Sequence, residues 1–445
     1  MRVCAILSIL LLSTLLVAFF SAAPVHAAPT WSIQTIDSTS AGGGLIAIDS
    51  NNNPHILYAH YETGNAYSGS VHPGPSELMY ASWTGSSWNT QTIPPEIEGA
   101  FNLVLDSNNN PHLSYAGIDG LMYAWWTGAN WTIQTVTKDG SRGGFLALDS
   151  SGNPHVAYKA NLPVSDYPQG VTDDISVLKY TSWNGSSWDT QTVDLPISYQ
   201  DGVYLALDSN NNPHILYGYD ISVPQSTTTV KYAVWNGSSW ITQTIFYNLS
   251  SYGNMVLDSK GYPHFVYRQD YPISHSGNST LFYASWNGSA WNAQTVVSNA
   301  DVGNTVFLAL DSYDYPHIDY CNASGIDSDS GSLVYAGWTG SVWDFQIVGP
   351  NSLATQAGPI AMDSHGNAHI AYTGLPASFP ISLIVYCMYA TAAEPVFTPT
   401  PPPMQVPSSS FSAFPLLLVL TVVAIGTVVT LVYVWKKKTQ KRTLN

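Results

Sequence analysis

The stretch LALDSNNNPHILYGYD, from Leu205 to Asp220, contains a polar core that returns along the whole chain. The segment that starts at Asp49 reads DSNNNPHILY, and the segment that starts at Asp106 reads DSNNNPHLSY. The histidine of this motif occurs seven times, at steps of 43 to 59 residues, and such a period is typical of repeat architectures. Its positions are His55, His112, His155, His214, His264, His317 and His369.

A second motif follows each copy of the first after a gap of variable length. It reads LKYTSWNGSSWDTQTV from Leu178, and related versions begin at Leu78, Leu121, Val230, Leu281 and Leu333. The two motifs predict four strands per unit, because each contains two short β-rich runs on either side of a polar turn. The Asn-Gly pair at Asn184 predicts a two-residue primed turn, which requires positive φ, and copies with Thr-Gly are expected to turn differently. No helical period is present, so the repeats are predicted to be all-β.

The two ends of the repeat region complement each other. WSIQTI, from Trp31 to Ile36, is a fourth strand with no first three strands before it. The last unit supplies three strands, the third of them IVYCMY from Ile384 to Tyr389, and it has no fourth. The ends therefore predict a closed ring of seven four-stranded sheets, because pairing of the N-terminal and C-terminal strands removes the open edge. A solenoid would instead carry polar capping repeats.

This pattern resembles the secreted seven-bladed β-propellers over roughly residues 30 to 391. It is distantly similar to the sialidase-like or Asp-box group, although the Asp-box spelling is absent. Sialidases of that group hold the substrate carboxylate with three arginines, whereas the repeats contain only Arg142 and Arg268. The resemblance therefore implies the all-β propeller fold and argues against sialidase activity.

The flanks of the repeats predict a membrane-anchored protein. Residues 1–27 are typical of a secretory signal peptide, because a basic start and an apolar run end in small residues. Residues 28–391 form the propeller, and residues 392–412 are a Pro/Ser/Thr-rich stalk. Residues 413–435 are long and apolar enough for one transmembrane helix. Residues 436–445 are basic and are predicted to be cytoplasmic, although a cleavable sorting signal has the same composition.

Charge restricts the partners of the predicted ectodomain. Only seven of the 13 Lys and Arg residues, but all 29 Asp and Glu residues, lie between the signal peptide and the apolar segment. The resulting charge of about −22 argues against nucleic acid and anionic lipid as partners. No phosphate loop, nucleophile motif or Cys/His metal spacing is present, so no cofactor is predicted. Seven Asn-x-Ser/Thr sequons predict some glycosylation of an extracellular protein.

The repeated aspartate and histidine are either a chemical site or part of the architecture. Asp208, Asn210 and Asn212 have the spacing that begins a calcium loop, but other copies place Lys or Tyr in it and none has the closing glutamate. A turn aspartate that accepts backbone N–H groups, an Asn or Gly with positive φ and a hydrogen-bonded histidine would explain every copy. We therefore predict that the motif is structural, that no metal is bound, and that the repeated Trp and Tyr residues are core.

Function is predicted to reside in the segments that depart from the repeat. The loops between the second and third strands of each unit range from 5 to 19 residues and share one face, and variable loops on a rigid scaffold are where binding usually resides. The two longest loops, in the first and third units, should rise on either side of the short second one. Their candidate contact residues are Tyr61, Glu62, Tyr67, Asp166, Tyr167, Asp173 and Asp174.

These loops combine aromatic rings with carboxylates, which suit the C–H faces and hydroxyl groups of sugars. The sequence therefore predicts a recognition or adhesion module whose ligand is a carbohydrate or a cell-surface protein. A glycan-active enzyme, either a glycoside hydrolase or a lyase, is the alternative. No residue has a specific catalytic signature, so no catalytic role is assigned.

Overall fold

Every secondary-structure element in the described part of this computed structural model is a β-strand, and the strands form seven sheets. The structure describes residues 31–38, 41–60, 77–94, 97–139, 143–161, 175–198, 202–219, 228–270, 279–322, 331–348, 353–375 and 386–392. The predicted signal peptide, apolar segment and basic tail, and the stalk after Ala392, lie outside these ranges. None of the residues within them belongs to a helix long and apolar enough to cross a membrane.

The described chain starts with β1 (Trp31–Asp37), and the next 24 strands form six sheets of four consecutive antiparallel strands, which we number blades 1 to 6. Blade 1 contains β2 (Ala41–Ile48), β3 (Pro54–His60), β4 (Glu77–Trp83) and β5 (Trp88–Ile93); blade 2 contains β6 (Ile97–Leu105), β7 (Pro111–Gly117), β8 (Gly120–Trp126) and β9 (Trp131–Thr137); blade 3 contains β10 (Gly144–Leu148), β11 (Pro154–Asn161), β12 (Ile175–Trp183) and β13 (Trp188–Ser198). Blade 4 contains β14 (Val203–Leu207), β15 (Pro213–Tyr219), β16 (Thr228–Trp235) and β17 (Trp240–Leu249); blade 5 contains β18 (Ser251–Leu257), β19 (Pro263–Asp270), β20 (Ser279–Trp286) and β21 (Trp291–Ala300); blade 6 contains β22 (Val302–Leu310), β23 (Pro316–Asn322), β24 (Ser332–Trp338) and β25 (Trp343–Ile347). The first strands of neighbouring blades contact one another, so they are the inner strands of the ring.

Blade 7 closes the ring from both ends of the described chain. It contains β26 (Leu353–Gln356), β27 (Ile360–Met362), β28 (Ala368–Leu375) and β29 (Tyr386–Ala392), and its outer strand is β1. β1 pairs antiparallel with β29, so that Trp31 lies opposite Ala392 in the way that Trp88 lies opposite Trp83 in blade 1. The prediction of a closed, seven-bladed, all-β propeller is confirmed.

The inner strand of blade 7 is divided in two, which the repeat pattern did not predict. β26 and β27 both pair with β28, and Gly358 lies between them. A Cβ atom at Gly358 would lie 1.5 Å from the carbonyl oxygen of Ala371, so only glycine fits this close approach. Blade 7 thus has five strand segments where four were predicted.

The repeated aspartate closes the turn between the first two strands of each blade. In blade 4, Oδ1 of Asp208 accepts the backbone N–H groups of Asn210 and Asn212, each at 2.8 Å. The equivalent pair of bonds is present in the other six blades. The third residue after the aspartate has positive φ in all seven: Asn52, Asn109, Gly152, Asn211, Gly261, Asp314 and Gly366. The predicted structural role of the motif is therefore confirmed.

The repeated histidine is buried between that aspartate and a tyrosine of the third strand. In blade 2, Nδ1 of His112 is 2.5 Å from the Tyr123 hydroxyl, and Nε2 is 3.6 Å from Oδ2 of Asp106. Because a carboxylate can only accept, the proton of the neutral ring lies on Nε2, and the tyrosine hydroxyl donates to Nδ1. Burial lowers the pKa of His55, His112, His155, His214, His264 and His369, which favours this neutral form.

The predicted two-residue turn between the third and fourth strands is present, but Asn184 is not one of its two central residues. Asn184 N donates to Ser187 O at 3.1 Å, so Gly185 is the first of two central residues, and its φ of 95° is positive whereas that of Asn184 is not. The Asn184 side chain instead accepts the Ser187 N–H at 3.0 Å. In blade 1, Oγ1 of Thr84 accepts the Ser87 N–H at 3.2 Å in the same way. Asn-Gly and Thr-Gly copies therefore share one geometry, because either side chain supplies the acceptor oxygen.

The tryptophans that flank this turn lie at the junctions between blades. Trp88 packs edge-to-face on Tyr389 of blade 7, and its Nε1 donates to Oε1 of Gln34 at 2.8 Å. Trp83 packs edge-to-face on Trp88 across the hairpin. The prediction that these aromatic residues are core is correct for Tyr80, which is buried, whereas the two tryptophans are only half-buried.

Candidate functional site

The propeller has two faces, and the variable segments are on one of them. Because strands alternate in direction, the turn from first to second strand and the turn from third to fourth strand leave a blade on the same side, which we call the turn face. Connections from second to third strand, and from one blade to the next, leave on the opposite side, the loop face. The turns of the turn face contact one another: Ser50 N, for example, donates to Oδ1 of Asn109 at 3.0 Å.

The seven residues that the sequence singled out for ligand binding lie outside the described residues. Tyr61, Glu62 and Tyr67 belong to segment 61–76, and Asp166, Tyr167, Asp173 and Asp174 belong to segment 162–174. Their grouping into one contact surface therefore stays a prediction. The flanking strands, β3 with β4 and β11 with β12, place the start and the end of each segment on the loop face.

The loop face is uneven around the ring. In blade 2 the second and third strands meet in a tight turn, in which Gly117 pairs with Gly120 and Ile118 is 72% exposed. The outer strands of blades 3, 4 and 5 run for 10 or 11 residues, compared with 5 to 7 residues in blades 1, 2 and 6. The extra length lies at the loop face, because each outer strand begins at the turn face. Blades 3 to 5 therefore form a raised wall beside the low second blade.

Two lysines on this wall depart from the repeat. Nζ of Lys179 is 3.0 Å from Oδ2 of Asp139, and Lys231 forms an ion pair with Asp194. In both pairs the aspartate comes from the preceding blade or from the connection that leaves it. The equivalent positions of the other blades hold apolar residues: Met79, Met122, Phe282, Val334 and Met388.

A buried tyrosine completes each ion pair. The Tyr217 hydroxyl donates to Oδ2 of Asp194 at 2.6 Å, and the Tyr158 hydroxyl donates to Oδ2 of Asp139 at 3.3 Å. Burial, reinforced by the neighbouring carboxylate, raises the pKa of both tyrosines, so both hydroxyls stay protonated. Each group joins two blades through one carboxylate that accepts from an ammonium and from a phenol.

A β-bulge in the outer strand of blade 3 directs Asp194 towards blade 4. Leu178 lies opposite Asp194, whereas the next residue, Lys179, lies opposite Thr192, so one residue is inserted between them. Blade 4 has a bulge at the same place, where it directs Phe246 against aromatic rings of blade 5. The same junction is thus polar between blades 3 and 4 and aromatic between blades 4 and 5.

Arg268 forms a third polar junction on the loop face. Its guanidinium holds both carboxylate oxygens of Asp270, each at 2.8 Å. Nη1 also donates to the Val302 carbonyl at 2.9 Å and to Oδ1 of Asn304 at 2.8 Å, both in blade 6. A bidentate pair that also holds the next blade is structural, so the donors of Arg268 are engaged within the protein.

An aspartate is buried in blade 6 where the other blades have Leu57, Ser114, Ala157, Leu216, Val266 and Ala371. Asp319 is 0% exposed, and neither of its carboxylate oxygens makes a well-formed hydrogen bond among the described residues. Burial raises the pKa of Asp319 well above its ordinary value, and the backbone N–H groups of Gly358 and of Asp319 itself oppose this only in part. The fold therefore favours its protonated form.

Sequence reasoning missed the two lysines and Asp319. All three were visible once the seven repeats were aligned, because each charged residue stands where the other copies have an apolar or small one. Their partners were not visible, since those belong to a neighbouring blade. Within the described ranges, no group of three or more His, Cys, Asp or Glu side chains is placed to hold a metal ion.

Comparison with known proteins supports the fold. No protein-family model matches the chain, and no curated protein matches it. A protein of unknown function from Dyadobacter fermentans is similar in structure, with a TM-score of 0.50 and 9% identity over 81% of this chain and 98% of that chain. An ulvan lyase, a polysaccharide lyase bound to a GlcA-Rha3S saccharide, has a TM-score of 0.50 and 11% identity over 81% of this chain and 96% of that chain. A sialidase from Streptococcus pneumoniae has a TM-score of 0.41 and 13% identity over 84% of this chain and 71% of that chain. The first two similarities indicate a shared fold and nothing finer, and the fold of this chain is a seven-bladed β-propeller.

Proposed function

We propose that this protein is a membrane-anchored recognition or adhesion module that binds a carbohydrate or a cell-surface protein through its loop face. The observation that supports the proposal is the position of the two ends of the propeller. Trp31 lies opposite Ala392, at the place where each of the other blades has the turn between its third and fourth strands. The chain therefore enters and leaves the propeller on the turn face.

The residues that lead to the proposed anchor follow Ala392 and therefore leave the propeller from its turn face. Residues 413–435 supply an apolar segment of sufficient length, and the basic residues from Lys436 fix its direction. The loop face is the opposite face, where segments 61–76 and 162–174 start and end and where the wall of blades 3 to 5 lies. We expect a partner to bind this face, because the chain does not leave the propeller from it.

A glycan-active enzyme with a pocket on the same face is the second candidate. Such an enzyme requires a carboxylate or a His–Tyr pair that is available to move a proton. The carboxylates of Asp139, Asp194 and Asp270 are each engaged by a lysine or an arginine. The repeated His–Tyr pairs are buried, and each histidine lies at the turn-face end of its strand. No observation in the described part of the chain favours catalysis, so we place binding first.

Two cysteine variants, one on each face of the propeller, test the proposal. Ile118→Cys lies in the tight turn of blade 2 on the loop face, and Val342→Cys lies in the turn before β25 on the turn face; the native residues are 72% and 61% exposed. Each variant of the full chain is biotinylated with a maleimide reagent, blocked with streptavidin and offered to intact cells of the producing organism. The native chain, treated in the same way, reports any labelling of its own cysteines.

We expect streptavidin on the loop face to abolish binding to cells and streptavidin on the turn face to leave it unchanged. Equal binding by both blocked variants, or loss only when the turn face is blocked, would show that the loop face is not the recognition surface.

A further inference from the structure

We infer that the loop-face end of the junction between blades 3 and 4 is a groove that binds a neutral sugar. The inference rests on the proposed function and names a ligand class and residues for it. Four residues define the groove, which we call the Tyr219 groove: Asp194 from blade 3, and Tyr219, Lys231 and Tyr247 from blade 4.

Tyr219 and Lys231 form the floor of the groove. Nζ of Lys231 lies 4.4 Å from the centroid of the Tyr219 ring and is also paired with Asp194. The Tyr219 ring is half-buried against the apolar cluster that blades 3 and 4 share. The side chains of Lys231 and Asp194 retain exposures of 15% and 18%, so the ion pair is not closed off from solvent.

Tyr247 forms the rim. The two residues before it, Ile245 and Phe246, both pack against the cluster that blades 4 and 5 share. The ladder places Tyr247 beside Thr229, and Thr229 pairs on its other side with Tyr219, so Tyr247 and Tyr219 belong to one row across blade 4. Tyr247 is 66% exposed and belongs to no hydrophobic cluster among the residues that the structure describes. The fold therefore does not require an aromatic residue at this position.

The neighbouring junction shows which of these residues the architecture needs. Between blades 2 and 3, Lys179 pairs with Asp139 just as Lys231 pairs with Asp194. The two tyrosine positions of blade 4 are occupied in blade 3 by Ala160 and Leu195. An ion pair without tyrosines at these two positions is thus sufficient to join two blades. The tyrosines are an addition found in blade 4, and they convert a structural ion pair into a site with apolar walls.

The combination of groups matches a neutral sugar. Aromatic rings pack on the C–H face of a pyranose, a carboxylate accepts from its hydroxyl groups, and an ammonium donates to its oxygens. The charges of Asp194 and Lys231 cancel. The neutral ion pair therefore gives a charged sugar no net attraction to offset the cost of removing its charge from water, and a neutral sugar has no such cost.

Affinity electrophoresis of the full chain in a mild detergent tests the inference. Separate gels contain galactomannan, mixed-linkage β-glucan or dextran as neutral probes, and alginate as an acidic one. The test variants are Tyr247→Ala and Tyr219→Ala. The matched control is Tyr313→Ala, which removes a tyrosine that is 50% exposed on the turn face. Because Tyr247 is exposed, its removal should leave folding intact even if the Tyr219 variant is unstable.

We expect at least one neutral polysaccharide to retard the native chain, Tyr247→Ala to bind it about tenfold more weakly, and Tyr313→Ala to bind it as the native chain does. Equal retardation of Tyr247→Ala and the native chain, retardation by alginate alone, or no retardation by any polysaccharide would overturn the inference. The proposed function is distinguished by its own readout. If cells are still bound through an unblocked loop face while no polysaccharide is bound, the partner is a protein and only the sugar groove is wrong.

Discussion

Asn109 of blade 2 holds Ser50 of blade 1 by two hydrogen bonds: its Oδ1 accepts the Ser50 N–H at 3.0 Å, and its Nδ2 donates to the Ser50 hydroxyl at 2.8 Å. It does so from a φ of 66°, a conformation that is unfavourable for residues other than glycine. Every non-glycine residue at this turn position bonds the preceding blade in this way: Asn52 to Ser364, Asn109 to Ser50, Asn211 to Ser150 and Asp314 to Ser259. Backbone strain is therefore found where a bond between blades offsets it.

Two substitutions at Asn109 should separate the stability that its hydrogen bonds contribute from the stability that its backbone strain costs. Asn109→Gly removes both hydrogen bonds and relieves the backbone, whereas Asn109→Ala removes the bonds and retains the strain. We expect losses of unfolding free energy of about 1–2 kcal/mol for the glycine variant and about 1 kcal/mol more for the alanine variant, by urea denaturation. Gly152→Asn is the reverse substitution, since it introduces an asparagine where blade 3 has glycine. A Cβ atom at position 152 meets nothing within 4 Å, and the new side chain is placed to bond Ser107 of blade 2 as Asn109 bonds Ser50. Equal stability of the Ala and Gly variants would contradict the role of strain.

Acid should weaken the fold through the buried histidines. Burial lowers the pKa of His214 in the folded state, below the ordinary value of about 6.5. The contribution of the neutral ring is complete above that value and is lost as the pH falls below it. Calorimetry should show a melting temperature that decreases from pH 7 to pH 5. At pH 7, His214→Ala should cost about 1–3 kcal/mol, because Tyr232 and Asp208 lose their partner. A melting temperature that is constant over this range would contradict neutral buried rings.

Asp319 should make the folded state less stable as the pH rises, which is opposite to the effect of the histidines. Burial raises its pKa well above 3.8, so the folded state holds the proton more tightly than the unfolded chain does. The stability that the protonated carboxyl contributes is complete below the pKa that Asp319 has in the unfolded chain. It falls by about 1.4 kcal/mol for each pH unit between that pKa and the higher pKa of the folded state. The Asp319→Asn variant, whose amide does not titrate, should therefore become more stable relative to the native chain as the pH rises from 5 to 8 in denaturation experiments. Asp344→Asn, at an exposed position, is the control, and a gain independent of pH would rule out the protonated carboxyl.

Closure by β1 makes a circular permutation feasible. Trp31 and Ala392 pair as Trp88 and Trp83 do, and the latter are joined by only four residues. A Thr-Gly-Ser-Ser linker from Ala392 to Trp31, with new ends in the turn of blade 1, should give a monomer with a nearly unchanged melting temperature. Deletion of residues 28–37 should instead expose the edge of β29 and cause aggregation, which size-exclusion chromatography would detect. A monomeric and stable deletion variant would be incompatible with the closed ring.

The long loops of blades 1 and 3 remain the predicted contact surface of the whole module. Replacing both segments 61–76 and 162–174 with the two-residue connection of blade 2 should leave the melting temperature nearly unchanged, because loop length contributes little to stability. Binding to intact cells should be lost. If the doubly shortened chain binds cells with unchanged affinity, Tyr61, Glu62, Tyr67, Asp166, Tyr167, Asp173 and Asp174 do not form the recognition surface.

The repeat predicted the ring because the strands that hydrogen-bond within a blade come from one repeat unit and its turns are visible in the sequence. The orphan strand at Trp31 could be matched to the incomplete last unit by counting alone. The interruption at Gly358 and the bulge before Asp194 could not be predicted, since both depend on the backbone of a neighbouring strand or blade. The same limit applies to Lys231, whose departure from the repeat is visible in the sequence but whose partners become apparent only when blades 3 and 4 are placed side by side.

The position of β29 determines how the molecule resists mechanical load. This strand is paired on one side with β28 and on the other with β1, and the chain leaves from its end at Ala392. A pull on the residues that follow acts along the strand, so the hydrogen bonds of both ladders are sheared together and cannot be peeled apart one at a time. With a partner held at the loop face and a tether at Ala392, tension runs parallel to the strands of blade 7. The strand order of blade 7 therefore loads both ladders of β29 in shear when the chain is pulled from Ala392.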